Sequence, residues 1–177
     1  MNENLDCEEI RIIKEVFDET REITGYASPE MTEVNEDCYK GGDIFITEGG
    51  ELIDLECQMK DFDEVELANY VELAENLYEK NKVPISIYIL CPNTIQVTAP
   101  ECTIKSEAIF NIKLACYNSN PVYDALYHIK DKVNRNMKLN DEDMEVLIRI
   151  PVMGPKKDRK NLRIECFRIL KKSLETR

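Results

Sequence analysis

A pair of glycines separates two apolar runs in the segment Gly42-Asp43-Ile44-Phe45-Ile46-Thr47-Glu48-Gly49-Gly50-Glu51-Leu52-Ile53-Asp54-Leu55-Glu56-Cys57-Gln58. Because glycine adopts positive φ without steric cost, this pattern predicts a β-hairpin over residues 43–59. A two-residue loop at Gly49-Gly50 would place Phe45 opposite Asp54 and Asp43 opposite Glu56. A four-residue loop keeps that register, whereas a three-residue loop would break it.

The predicted hairpin has one apolar and one acidic face, because side chains alternate between the faces of a strand. The apolar face carries Ile44, Ile46, Ile53, Leu55 and Cys57, and the other carries Asp43, Asp54, Glu56 and Gln58. Opposed like charges destabilise a strand pair, and a divalent cation such as Mg²⁺, Mn²⁺ or Ca²⁺ between the oxygens would remove that cost. The alternative is a solvated face in a chain with 35 acidic residues.

The order Gly-Asp at the start of one strand and Glu-x-Gln at the end of the next resembles the core of the PD-(D/E)XK nuclease superfamily. It is most similar to the transposase and recombination-promoting nuclease branch. The resemblance implies that Asp43 and Glu56 bind Mg²⁺ or Mn²⁺, and that Gln58 takes the position of the superfamily's usual lysine. Lys60 would lie on the same face if the strand persists, and could supply the missing positive charge.

The resemblance covers roughly residues 40–92, since a helix and an apolar strand follow the hairpin as they do in the family. Tyr70 matches a tyrosine that the branch carries in this helix, whereas its arginine has no counterpart here. The family's first helix usually contributes an acid. In this chain Glu9 flanks an apolar stripe of Ile10, Ile13 and Phe17, which makes it the helix acid best placed to reach inward, whereas Glu15 and Glu19 point away. The alternative is that Glu9 is a solvated surface residue.

The function implied is metal-dependent DNA endonuclease activity, the hydrolysis of phosphodiester bonds, in a protein related to transposases. Asp43, Glu56, Gln58 and Lys60 would be its catalytic residues. One alternative is a catalytically inactive protein of the nuclease fold that acts as a nucleic-acid or protein interaction module. Another is an accessory protein that forms a homodimer through its late helices.

Length and composition indicate a globular protein. The 177 residues are 43% hydrophobic and 33% charged, which suits a single domain. No apolar run approaches the roughly 20 residues that span a bilayer. The acidic first residues lack a signal-peptide pattern, so we expect a cytoplasmic protein without membrane contact. Seven cysteines without a Cys-x-x-Cys pair, and a single histidine, argue against a zinc finger.

Charge is divided unevenly along the chain, whose net charge is −12. Residues 151–177 contain nine basic and three acidic residues, and the rest of the chain is strongly acidic. Since phosphate contacts supply most non-specific DNA affinity, the acidic part argues against tight DNA binding by itself. The basic segment Lys156–Lys172 is the predicted DNA contact, and a solvated helix face that docks on the acidic part is the alternative.

The hydrophobic pattern predicts an α/β fold with a restriction-endonuclease-like mixed central sheet flanked by helices and a helical C-terminal portion. We expect a single domain with an α/β core at 1–118 and a mainly helical extension at 119–177. The predicted helices are 7–23, 63–81, 121–137, 141–149 and 161–174. The periodicity of helix 63–81 predicts an inner face of Val65, Ala68, Val71 (or Glu72), Ala74, Leu77 and Tyr78. The predicted strands, besides the hairpin, are 31–38, 85–90, 94–98 and 108–115.

Overall fold

The computed structural model describes residues 8–34, 42–99, 101–105, 109–117 and 120–175. The chain divides into two compact units, Met1–Tyr117 and Asn118–Arg177. No helix in the described ranges is long and apolar enough to cross a membrane.

The first unit contains a six-stranded mixed sheet. Its elements are α1 (Glu8–Val16), β1 (Ile23–Tyr26), α2 (Pro29–Thr32), β2 (Asp43–Thr47), β3 (Leu52–Cys57), α3 (Glu64–Asn81), β4 (Ile85–Pro92), β5 (Cys102–Lys105) and β6 (Ile109–Tyr117). The strand order is β1-β2-β3-β4-β6-β5. The β3–β4 and β4–β6 pairs are parallel, and the other pairs are antiparallel. The predicted α/β class with a mixed sheet is therefore confirmed.

Helices cover both faces of this sheet. On one face, α3 contributes Tyr70, Leu73, Ala74 and Leu77 to a core that includes Ile87 of β4. On the other face, Phe17, which directly follows α1, stacks on Tyr88 of β4 with ring centroids 4.7 Å apart. Strand β4 is buried along its whole length, as expected of a parallel strand with helices on both sides.

The second unit is helical, as predicted for the C-terminal portion. It consists of α4 (Pro121–Asn134), α5 (Asp141–Met153) and α6 (Arg159–Glu175). Asn120 caps α4, and Asn140 forms a capping box with Asp143 at the start of α5. Their apolar faces meet in a cluster around Leu126, Leu147 and Leu162. The predicted end of α5 at residue 149 is wrong, because the helix continues through Pro151 to Met153.

Three predictions near the sheet edges are corrected by the structure. The first helix ends at Val16 rather than at residue 23, and Asp18 turns the chain with φ 53° before β1 begins. Helix α2 occupies part of the predicted strand 31–38, since Pro29 opens it with the fixed φ of a first helical turn; residues 35–38 lie outside the described residues. Segment 94–98 contributes a single bridge, Phe62 to Val97, rather than a strand.

The hairpin is present, but its predicted register is wrong. Asp43 pairs with Leu55, and Ile44 pairs with Asp54. The loop has three residues, because Gly50 adopts φ 81° and Thr47 pairs with Glu51 through a 2.9 Å hydrogen bond from its N–H. This one-residue shift changes which side chains share a face.

Candidate metal centre

The shifted register divides the four polar residues of the hairpin between the two faces of the sheet. Asp43 lies in one row with Leu55 and Tyr88, on the face that α1 covers. Asp54 lies in the neighbouring row with Ile44 and Ile87, on the face that α3 covers. Because successive side chains point to alternate faces of a strand, Glu56 and Gln58 lie on the same face of the sheet as Asp54. The expectation that all four share one face is therefore wrong.

Glu9 and Asp43 come together on the α1 face. Glu9 is 3% exposed, although it is charged and lies in the first turn of a surface helix. One of its carboxylate oxygens lies within 4.8 Å of one of Asp43. Ile10 and Ile13 of the same helix are buried beside it, so the apolar stripe of α1 fixes the direction in which Glu9 points.

This pair could hold a metal ion. Two oxygens on opposite sides of one Mg²⁺ stand about 4.2 Å apart, since each bond is roughly 2.1 Å long. The spacing of Glu9 and Asp43 is thus within a small side-chain adjustment of a shared cation. Carboxylates are also the ligands that Mg²⁺ and Mn²⁺ prefer, and buried carboxylates need either a partner or a metal.

Glu56 reaches the same end of the hairpin from the other strand. It is 1% exposed, and its Oε1 accepts a hydrogen bond from the backbone N–H of Gly42, the residue before Asp43. The structure thus places the Glu56 carboxylate beside the chain segment that leads into Asp43.

Gly42 is required at this position for steric reasons. A Cβ there would overlap the carbonyl oxygen of Leu55 and press on the Glu56 carboxyl carbon at 3.3 Å. We expect Gly42→Ala to lower the free energy of unfolding by about 1–3 kcal/mol, because the strand start must move to relieve the overlap. Urea denaturation measures this change.

Gly25→Ala is the matched control, since Gly25 also lies in the sheet but a Cβ there would meet nothing within 4 Å. It should leave the stability unchanged or slightly raised. Equal losses in the two variants would show that the steric argument for Gly42 is wrong.

Gln58 is fully buried and held through both ends of its amide. Its Oε1 accepts a 3.1 Å hydrogen bond from the Tyr70 hydroxyl, and its Nε2 donates a 3.2 Å bond to the carbonyl of Lys60. Its backbone N–H donates to Leu90 of β4. Tyr70 and Gln58, which the sequence analysis singled out separately, are therefore in direct contact.

Lys60 does not lie on the strand, because β3 ends at Cys57. The premise that the strand persists to Lys60 is wrong. The side chain is exposed, and only its backbone carbonyl, through Gln58, is tied to the buried residues.

A second polar cluster on the α1 face was not found from the sequence. The Arg21 guanidinium donates to Glu19, Glu51 and Ser86, and the Tyr88 hydroxyl also donates to Glu19. Burial alone would raise the pKa of Glu19, but the hydrogen bonds from Arg21 and Tyr88 outweigh it and lower the pKa to about 2. Burial, followed by the hydrogen bond to Glu19, raises the pKa of Tyr88 to about 12.

Because of this cluster, we expect the folded protein to lose stability in acid. Because its pKa is lower in the folded chain than the ordinary 4.5, Glu19 stabilises the fold fully above that ordinary value. The contribution, roughly 2–3 kcal/mol, is lost as the pH falls from about 4.5 to about 2. Urea denaturation of wild type and Glu19→Gln at several pH values should show a stability difference that shrinks over this range. The exposed Glu22, changed to Gln, is the control, and a difference independent of pH would contradict the assignment.

No protein-family model matches this chain, and comparison with curated proteins and with solved structures finds no similar protein.

Proposed function

We propose that this protein is a metal-dependent DNA endonuclease of the PD-(D/E)XK type with a restriction-endonuclease-like fold. The observation that carries the proposal is the buried Glu9 of the first helix, with an oxygen within 4.8 Å of Asp43. The resemblance implies an acid from that helix near the first strand carboxylate. The hairpin, α3 and the buried parallel strand β4 follow in the order that the resemblance also implies.

In this proposal Glu9 and Asp43 hold the cation from the α1 face. Glu56 starts from the other face and completes the site around the end of the strand pair, where its Oε1 already contacts the N–H of Gly42. Bound Mg²⁺ would polarise the scissile phosphate and lower the pKa of an attacking water. Burial of Glu9 and Glu56 supports this assignment, since both carboxylates are removed from competing solvent.

Gln58 supports the site from the α3 face, because its buried amide donates to the carbonyl of Lys60 and so fixes the chain that carries the lysine. The bond from Tyr70 fixes the orientation of that amide. Lys60, exposed just beyond the strand end, approaches the phosphate from solvent and offsets its charge.

The basic segment of the second unit is the proposed DNA contact. Several of its cations are exposed, namely Lys156, Lys157, Arg159, Lys160 and Arg163. Exposed cations can replace the counterions of the phosphate backbone, which the strongly acidic remainder of the chain cannot do.

Nicking of supercoiled plasmid at low salt tests the proposal, with Mg²⁺, with Mn²⁺ and with a chelator. We expect cleavage that requires metal and is abolished by Asp43→Asn and by Glu56→Gln. Glu48→Gln, which removes an exposed acid at the hairpin loop, is the matched control and should cleave like wild type. Absence of cleavage by wild type, or cleavage that persists in both variants, would refute the assignment.

A nuclease-fold module that binds without cutting is the second candidate. It is favoured by Gln58 in the lysine position and by the displacement of Lys60 from β3. In that case Mg²⁺ would raise the melting temperature of wild type but not of Asp43→Asn, while plasmid would remain intact.

A further inference from the structure

Two cysteines stand side by side at the ends of neighbouring parallel strands. Cys91 of β4 pairs directly with Cys116 of β6. Both are free thiols, and their Sγ atoms are 3.2 Å apart. Neighbouring strands lie about 4.7–4.9 Å apart, which falls in the Cα separation of about 4.4–6.8 Å that a disulfide needs.

The two thiols differ in access to solvent. Cys116 is exposed, whereas Cys91 is buried and also donates to the carbonyl of Ala115 at 3.4 Å. Burial, and after it the hydrogen bond with Cys116, raises the pKa of Cys91 above its ordinary value. Since the thiolate is the attacking species and needs access to the oxidant, Cys116 is the thiol that meets a small molecule first.

From this geometry we propose that Cys91 and Cys116 form a reversible thiol–disulfide site, which reacts with low-molecular-weight disulfides such as glutathione disulfide. The Cys116 thiolate attacks one sulfur of the small disulfide and releases one thiol, which leaves a mixed disulfide on Cys116. Cys91 then loses its proton, attacks Cys116 Sγ and releases the second thiol. Two protein thiols are oxidised to one disulfide, and one small disulfide is reduced to two thiols.

The site lies next to the buried polar residues of the hairpin but does not depend on nuclease activity. The N–H of Gln58 bonds to the carbonyl of Leu90, which precedes Cys91. A disulfide would therefore link β4 to β6 at Cys91, one residue after the carbonyl that binds Gln58.

Peptide mapping tests the proposal on the folded wild-type chain. The protein is incubated with glutathione disulfide, its remaining thiols are blocked, and it is digested with trypsin and a glutamate-specific protease. Cleavage after Lys82, Glu101 and Lys113 separates Cys91, Cys102 and Cys116 into different peptides. We expect a linked pair of peptides, 83–101 with 114–130, that dithiothreitol separates. Absence of this pair, or linkage of Cys116 to Cys102 instead, would overturn the proposal.

Three variants test the order of the steps. Cys91→Ala should stop the reaction at the mixed disulfide, so that peptide 114–130 gains one glutathionyl group. Cys116→Ala should leave Cys91 reduced. Cys57→Ala, which removes another buried free thiol, should keep the linked pair. Glutathionylation of Cys91 in the Cys116 variant at the wild-type rate would contradict the assigned roles.

Discussion

Glu9→Gln should lower metal-dependent plasmid cleavage by about 100-fold or more, a loss comparable to that of Asp43→Asn. Residues that only support metal ligands already cost 10–100-fold when they are changed, and Glu9 is proposed as a ligand. Glutamine keeps the size of the side chain but removes the negative charge, so the expected loss follows from the weaker attraction for the cation.

The same variant should lose stabilisation by metal. A cation that binds only the folded chain adds about 2.7 kcal/mol at a concentration 100 times its dissociation constant. Mg²⁺ or Mn²⁺ titrations followed by thermal melting should therefore raise the melting temperature of wild type, and raise that of Glu9→Gln much less. This second measurement separates a metal ligand from a residue needed only for cleavage.

Glu15→Gln is the matched control for both measurements. Glu15 lies on the same helix and carries the same charge, but its side chain is 64% exposed and pairs with Arg11 at the surface. It should cleave and bind metal like wild type. Equal losses in the two variants would mean that the net charge of the helix, rather than the position of Glu9, determines the effect.

The sequence predicted the existence of the hairpin but could not determine its register. Two-, three- and four-residue loops are all compatible with a Gly-Gly pair, and only the φ of 81° at Gly50 selects the three-residue form. Local propensity differs little between these loops, whereas packing of β3 against β4 and of the flanking helices favours one of them. A one-residue difference in loop length pairs Asp43 with Leu55 instead of Glu56 and so places the two acids on opposite faces of the sheet.

The helix pattern was more informative for α1 than for α3. On α1 the apolar stripe indicated that Glu9 could reach inward, and its 3% exposure rules out the solvated alternative. The prediction that Glu19 points away is wrong, because α1 ends at Val16 and the Glu19 side chain binds Arg21 and Tyr88. On α3 the bounds 63–81 agree closely with the observed Glu64–Asn81, and Asp63 caps the helix. Its inner face, however, was predicted to begin at Val65, which is 68% exposed. The Arg21 cluster could not be predicted at all, because its members come from three separate segments.

Phe62→Ala should produce the largest loss of stability in the first unit, about 3–5 kcal/mol of the free energy of unfolding. Phe62 is 0% exposed, and its ring stacks on Tyr70 with centroids 6.0 Å apart. Its backbone is fixed independently, since its N–H donates to the carbonyl of Gln96 and its carbonyl accepts from Thr98. The chain therefore cannot easily collapse into the cavity that alanine would leave.

Val65→Ala is the control, because the periodicity of the sequence predicts that Val65 is buried whereas the structure shows that it is exposed. Both residues are apolar and lie three positions apart, but Val65 faces solvent, so its truncation should change stability by no more than about 0.5 kcal/mol. Urea denaturation of both variants, at a pH where Glu19 is fully ionised, provides the comparison. If Val65→Ala cost as much as Phe62→Ala, α3 would present the face predicted from periodicity. The Phe62 ring would then not be what holds Tyr70 in position to donate its hydrogen bond to Gln58.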